Sequence, residues 1–185
     1  MKDVLWRAIT KTIGLFFIQK SCEQRTDNSF QDRRYHEHQN GISPLSEAGI
    51  PCVTGFCLDY MHLVCLGVVK RILWFLRRGP PECKLSALQI SQLSKNLISL
   101  SGMLPSEFAR QPRTLLDIEH WKATEFRQFL LYTGPVVLKK SMSKEMYEHF
   151  LTLTIGISIL LEMDDEWRTS YLQYAEELLV YFVKK

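Results

Sequence analysis

The stretch from Val53 to Arg78 constrains this chain more than any other, because it sets two ionisable side chains, Asp59 and His62, into an otherwise apolar run. A carboxylate beside Phe56, Leu58, Met61 and Leu63 loses much of its hydration unless it is paired or placed at a helix start, where free backbone N–H groups satisfy it. If Asp59 is the N-cap, His62 falls at the third helical position. The carboxylate can then accept from a backbone N–H and orient the imidazole, as in a capping box with His in the Glu place. The spacing predicts a partly buried Asp59–His62 pair opening a helix from Tyr60 to about Arg77.

With 185 residues, 46% hydrophobic and 23% charged, the chain has the size and composition of one globular domain with a real core. A net charge of +3 permits a nucleic-acid partner without requiring one. Five cysteines, at 22, 52, 57, 65 and 83, form no Cys-x-x-Cys pair, which points to reduced thiols in cytosol or nucleus. Asp3, Arg7 and Lys11 spoil residues 1–20 as a signal peptide, and the longest apolar run, Phe150 to Leu161, is too short to span a bilayer. The expectation is a soluble, non-secreted protein, nuclear or cytoplasmic, with no membrane partner and no evident small-molecule substrate.

Residues 3–19 carry Val4, Leu5, Ala8, Ile9, Ile13, Phe16 and Phe17 near helical spacing, so an N-terminal helix is expected in residues 1–21. Residues 22–49 are polar and turn-rich and read as irregular; His36 and His38 there are weak metal candidates, since no Cys pair lies nearby. Residues 50–185 read as a helical domain, with a short strand or extended lead-in over 50–58. Cys57, His62 and Cys65 lack an obvious fourth zinc ligand beyond Asp59. Gly79-Pro80-Pro81 ends the first helix, and Ser86 to Leu100 forms another, packing Leu88, Leu93, Leu97 and Leu100 inward. Leu104 to Arg110 reads as a short helical turn with Pro105 at its first position. Trp121 opens a helix that stops at Thr133-Gly134-Pro135 with a Gly C-cap. Two further helices, Met142 to Leu161 and Arg168 to Val183, flank Asp164, Asp165 and Glu166, read as a solvated turn and N-cap.

On the helix after Tyr60, Lys70, Trp74 and Arg77 share a face flanked by Arg71 and Arg78. An aromatic among cations can stack on a base or sugar while the cations meet phosphate, or the basic turn can complement the helix dipole. Arg110 and Arg113 suit phosphate or the internal acids Glu107, Asp117, Glu119 and Glu125. Lys122, Glu125 and Arg127 frame either a polar groove beside Trp121 or a solvated edge.

The stretch from Asp59 to Arg71 (DYMHLVCLGVVKR) resembles the Asp-x-Met-His segment of CACTA (EnSpm-like) transposases, especially those multiplied in animal genomes. Further blocks look alike in the same order: Arg25 to Phe30, His38 to Leu45, Leu104 to Leu115 and Trp121 to Leu138. The resemblance implies a cut-and-paste transposase with an RNase H-like core and three metal-binding acids, in which Mg²⁺ or Mn²⁺ activates water and then a DNA 3′-hydroxyl. The family's acids and its Cys-x-x-Cys knuckle have no counterpart here. The chain is therefore expected to be mainly α with little or no sheet, similar to the helical insertion of such an enzyme. It would bind no cofactor itself and be inactive alone, with Asp59 and His62 an accessory motif rather than reactants. Its partners would be DNA, through Lys70, Arg71, Trp74, Arg77, Arg110, Arg113 and Lys122, or further copies of itself or the missing transposase segments. A helical protein-interaction or assembly domain, or a relic without selected function, are the other readings.

Overall fold

A computed structural model describes residues 25–36, 39–55 and 59–184. Those residues are mainly helical and contain no strand, so the expected fold class holds. The helix expected over 3–19, His38 and Cys57 lie outside them. The chain divides into two compact units between Asp59 and Tyr60.

In the first unit, helix α1 (Asp27–Gln31) starts from a capping box: Thr26 Oγ1 accepts from Ser29 N, and Ser29 Oγ accepts from Thr26 N. Ser43 caps the short helix α2 (Pro44–Glu47). These two turns interrupt a segment expected to be irregular. Residues 50–55 form bends and a turn, where a strand was one expectation. Asp27 holds that turn: its carboxylate accepts from Val53 N at 2.6 Å and from the Thr54 hydroxyl at 2.5 Å. Gly55 is required beside it, since a Cβ there would sit 2.4 Å from the Pro51 carbonyl oxygen. Buried Gln39 donates to Phe30 O and accepts from Tyr35 N, closing the loop after α1.

The second unit begins with the expected long helix, which is helical from Tyr60 to Arg78. Its first half, π1 (Met61–Val69), is a π-helix that returns to α geometry in α3 (Lys70–Arg78). With bonds reaching five residues back, side chains four and five apart share a face, so Val64, Cys65, Val68 and Val69 are buried together. Ile72, Leu73, Phe75 and Leu76 continue the core along α3. Pro80 holds Gly79 in extended backbone and ends the helix there.

Helix α4 (Ala87–Ser99) opens on the Ser86–Gln89 capping box and buries Ile90, Leu93 and Leu97. Leu88 does not pack inward, contrary to the sequence reading. It is 80% exposed, because Ile90, Leu93, Ser94 and Leu97 define the buried face and position 88 falls opposite. Leu104 to Arg110 is a hydrogen-bonded turn rather than a helical turn, with Phe108 N donating to Pro105 O. A 3₁₀ segment, Leu115–His120, then packs on α3 and α4.

The Trp121 helix also differs from expectation at both ends. It starts as α5 (Ala123–Gln128), widens into π2 (Phe129–Thr133) and continues as α6 (Gly134–Leu138). Gly134 is not a C-cap: its backbone is right-handed helical and its N–H donates to Phe129 O, five residues back. Pro135 lacks an N–H and would clash with the carbonyl of Leu131 in a regular turn; the wide turn relieves that clash, and burial of Val137 and Leu138 rewards continuing. Ser143 caps α7 (Lys144–Leu160), which forms a long hairpin with α8 (Asp165–Lys184). Asp164 caps α8 by accepting from Trp167 N at 3.0 Å. Gly156 lets the two helices approach, since a Cβ there would lie 3.0 Å from Leu179 Cγ.

Candidate nucleic-acid interface

Four candidate residues sit together on α3. Lys70, Arg71, Trp74 and Arg77 are all half-buried. The Arg71 guanidinium lies 5.4 Å from the Trp74 ring centre and 5.4 Å from that of Phe75, and the two rings meet edge to face. Arg71 Nε and Arg77 Nη1 are buried donors that meet no hydrogen-bond acceptor among the described residues. Among the described residues no carboxylate pairs with Lys70, Arg71 or Arg77, whereas Arg78 pairs with Glu119 at 3.2 Å.

Arg113 is differently placed. Its Nε donates to Glu125 Oε1 at 2.6 Å and its Nη2 to Glu125 Oε2 at 3.1 Å, a bidentate pair with a carboxylate only 4% exposed. The same guanidinium contacts Asp117 and donates to His120 O, while Asp117 Oδ1 lies 2.6 Å from His120 Nδ1. The Glu125 hydrogen bonds, followed by its charge and that of Asp117, hold the Arg113 pKa above its ordinary value. Glu125 also accepts from Lys122 N at 2.8 Å, the returning half of a capping box. Of the alternatives for Arg113, the internal acids are the ones met.

One other expectation changes here. Glu125 forms neither a solvated edge nor an open groove with Lys122 and Arg127, because it is buried beside Trp121 and Phe129 and neutralised by Arg113. Gln128 is buried with it, whereas Tyr132, one turn on, is exposed. Arg110 is exposed, with Nε 4.0 Å from Glu125 Oε2 and its carbonyl accepting from Gln128 Nε2. Lys122 extends into solvent. The candidates thus form a group on α3 that no carboxylate among the described residues neutralises and a loop group gathered around Glu125.

Asp59 and His62 are both exposed, so neither carries the burial cost from which their pairing was expected. Their apolar neighbours Met61 and Leu63 turn inward while they do not. The carboxylate that organises its surroundings is Asp27, whose pKa the Thr54 hydroxyl, followed by the Val53 N–H, holds below the ordinary value. Asp27 sits in the polar Arg25 to Phe30 block, where only its resemblance to a family segment marked it out. Cys52 and Cys83 are free thiols, and among the described residues no three His, Cys, Asp or Glu side chains gather as a metal site. No helix among them is long and apolar enough to cross a membrane. Compared with protein families, curated proteins and solved structures, the chain matches none.

Proposed function

We propose that this chain is a transposase-derived helical module that contacts DNA through α3, and that it cuts no strand itself. The observation that carries the reading is the contrast between two basic groups. Glu125 and Asp117 already occupy Arg113, while Lys70, Arg71 and Arg77 meet no carboxylate among the described residues and flank a half-buried tryptophan. Cations that meet no carboxylate among the described residues, set beside an aromatic ring, suit a phosphate backbone with a base or sugar stacked against it. Nuclear residence would follow from such a role, and Arg110 and Lys122 would add peripheral charge.

Titrating a labelled DNA duplex with the chain at stepped salt concentrations tests this. Binding should weaken steeply with salt, and Arg71→Gln and Arg77→Gln should each flatten the log–log slope by about one. Absent or salt-insensitive binding would overturn the reading. An assembly domain is the second reading, favoured by the aromatic side chains that α8 exposes.

A further inference from the structure

Helix α8 has two apolar faces. Ala175, Phe182 and Val183 are buried on one, packed into the hairpin with α7. On the other, Trp167, Tyr171, Tyr174, Leu178 and Tyr181 follow spacings of four and three, the pattern of a coiled-coil seam. Trp167, Tyr171 and Tyr174 are 42–50% exposed, and the Trp167 and Tyr171 rings meet at a tilt of 35° with centroids 4.5 Å apart. An apolar stripe this regular, about 21 Å long at 1.5 Å per residue, is more than scattered surface hydrophobicity.

We propose that this seam pairs with the same seam of a second copy of the chain, the two α8 helices running antiparallel. Charge selects both the partner and the direction. Asp164, Asp165 and Glu166 lie at the start of α8, and Lys184 lies at its end. Arg168 neutralises Asp165 within the helix, which leaves Asp164 and Glu166 to face a cation. Antiparallel pairing sets each acidic start against the basic end of the other copy and opposes the helix dipoles; parallel pairing would set acid against acid. Glu166 and Lys184 project on the same flank of the seam, so they meet across the pair. Side chains of this kind offer about 150–250 Å² each, so their exposed halves supply about 350 Å² per copy, well below the roughly 800 Å² of a standard interface. The dimer is therefore a weak, reversible one. This inference rests on the assembly reading and is independent of DNA contact.

Sedimentation velocity of the full chain at low salt, across a wide concentration range and without DNA, tests it. The expected result is a monomer–dimer equilibrium that Tyr171→Glu with Tyr174→Glu weakens at least tenfold, with the helical circular dichroism unchanged because both sites are exposed. Lys184→Glu alone and Glu166→Lys alone should each weaken association several-fold, and combining them should restore it. A monomer at every concentration, or a dimer indifferent to the tyrosine changes, overturns the interface; failure of the charge exchange to restore association overturns the antiparallel pairing. Either failure leaves the salt-dependent DNA titration unaffected.

Discussion

Replacing Arg113 with alanine would leave Glu125 as a carboxylate that is 4% exposed and has lost both guanidinium bonds. Removing one partner of a buried ion pair typically costs about 3–5 kcal/mol. Three features reduce that figure here: the Arg113 side chain is itself 35% exposed, so water can partly replace it, the Lys122 N–H still reaches Glu125, and Arg110 Nε remains 4.0 Å from its carboxylate. The expected loss is about 2–3 kcal/mol. At about 2–4 °C per kcal/mol for a chain of this size, the melting midpoint should fall by roughly 5–10 °C. Thermal unfolding followed at 222 nm measures it. Arg113→Met combined with Glu125→Met, which strands no charge, should recover much of the loss. If Arg113→Ala melts like the parent chain and instead weakens DNA binding, the pair is not structural and Arg113 belongs with the α3 cations.

The Asp27 carboxyl is held below its ordinary range first by the Thr54 hydroxyl, so its tie to the 53–54 turn persists above the unfolded-state value and is lost as pH falls through the lowered folded value. The Val53 and Thr54 amide resonances should therefore shift together only below about pH 4, and Asp27→Asn should abolish that titration. Gly134→Ala should destabilise by about 1–3 kcal/mol in urea, because the added Cβ would lie 2.5 Å from Phe129 O; a gain in stability, as alanine gives at an ordinary helical site, would refute the close approach.

Most helices after residue 60 were legible because they carry their own amphipathic period and, at Ser86 and Ser143, their own cap. What escaped were features that tertiary packing decides. Gly134-Pro135 is a strong local stop, yet burial of Val137 and Leu138 carries the chain through it with one widened stretch. A run apolar all round its axis, such as Met61 to Val69, fits α and π geometry equally well. It also does not specify which side faces inward, so Asp59 and His62 looked buried and are not. Glu125 was one of four internal acids open to Arg113, but the two are joined across a 3₁₀ segment, a separation that no helical spacing rule covers, so the pair could not be singled out. The cations of α3 were readable as a group, and it took the carboxylates around Arg113 to show which basic residues are already committed.

Trp121 gives the second unit an optical consequence. Its indole is buried beside Phe126 and Phe129, and its Nε1–H meets no hydrogen-bond acceptor among the described residues. Trp167, at the far hairpin, is exposed, and Trp74 is half-buried. With Trp6 and Trp74 replaced by phenylalanine, blue-edge fluorescence reports the layer around Arg113 and Glu125, while the red-edge, iodide-quenched emission reports the α7–α8 hairpin. If the unit unfolds as one cooperative body, the two emissions change at the same denaturant concentration, and a gap between them marks a hairpin that opens before the layer beneath Trp121.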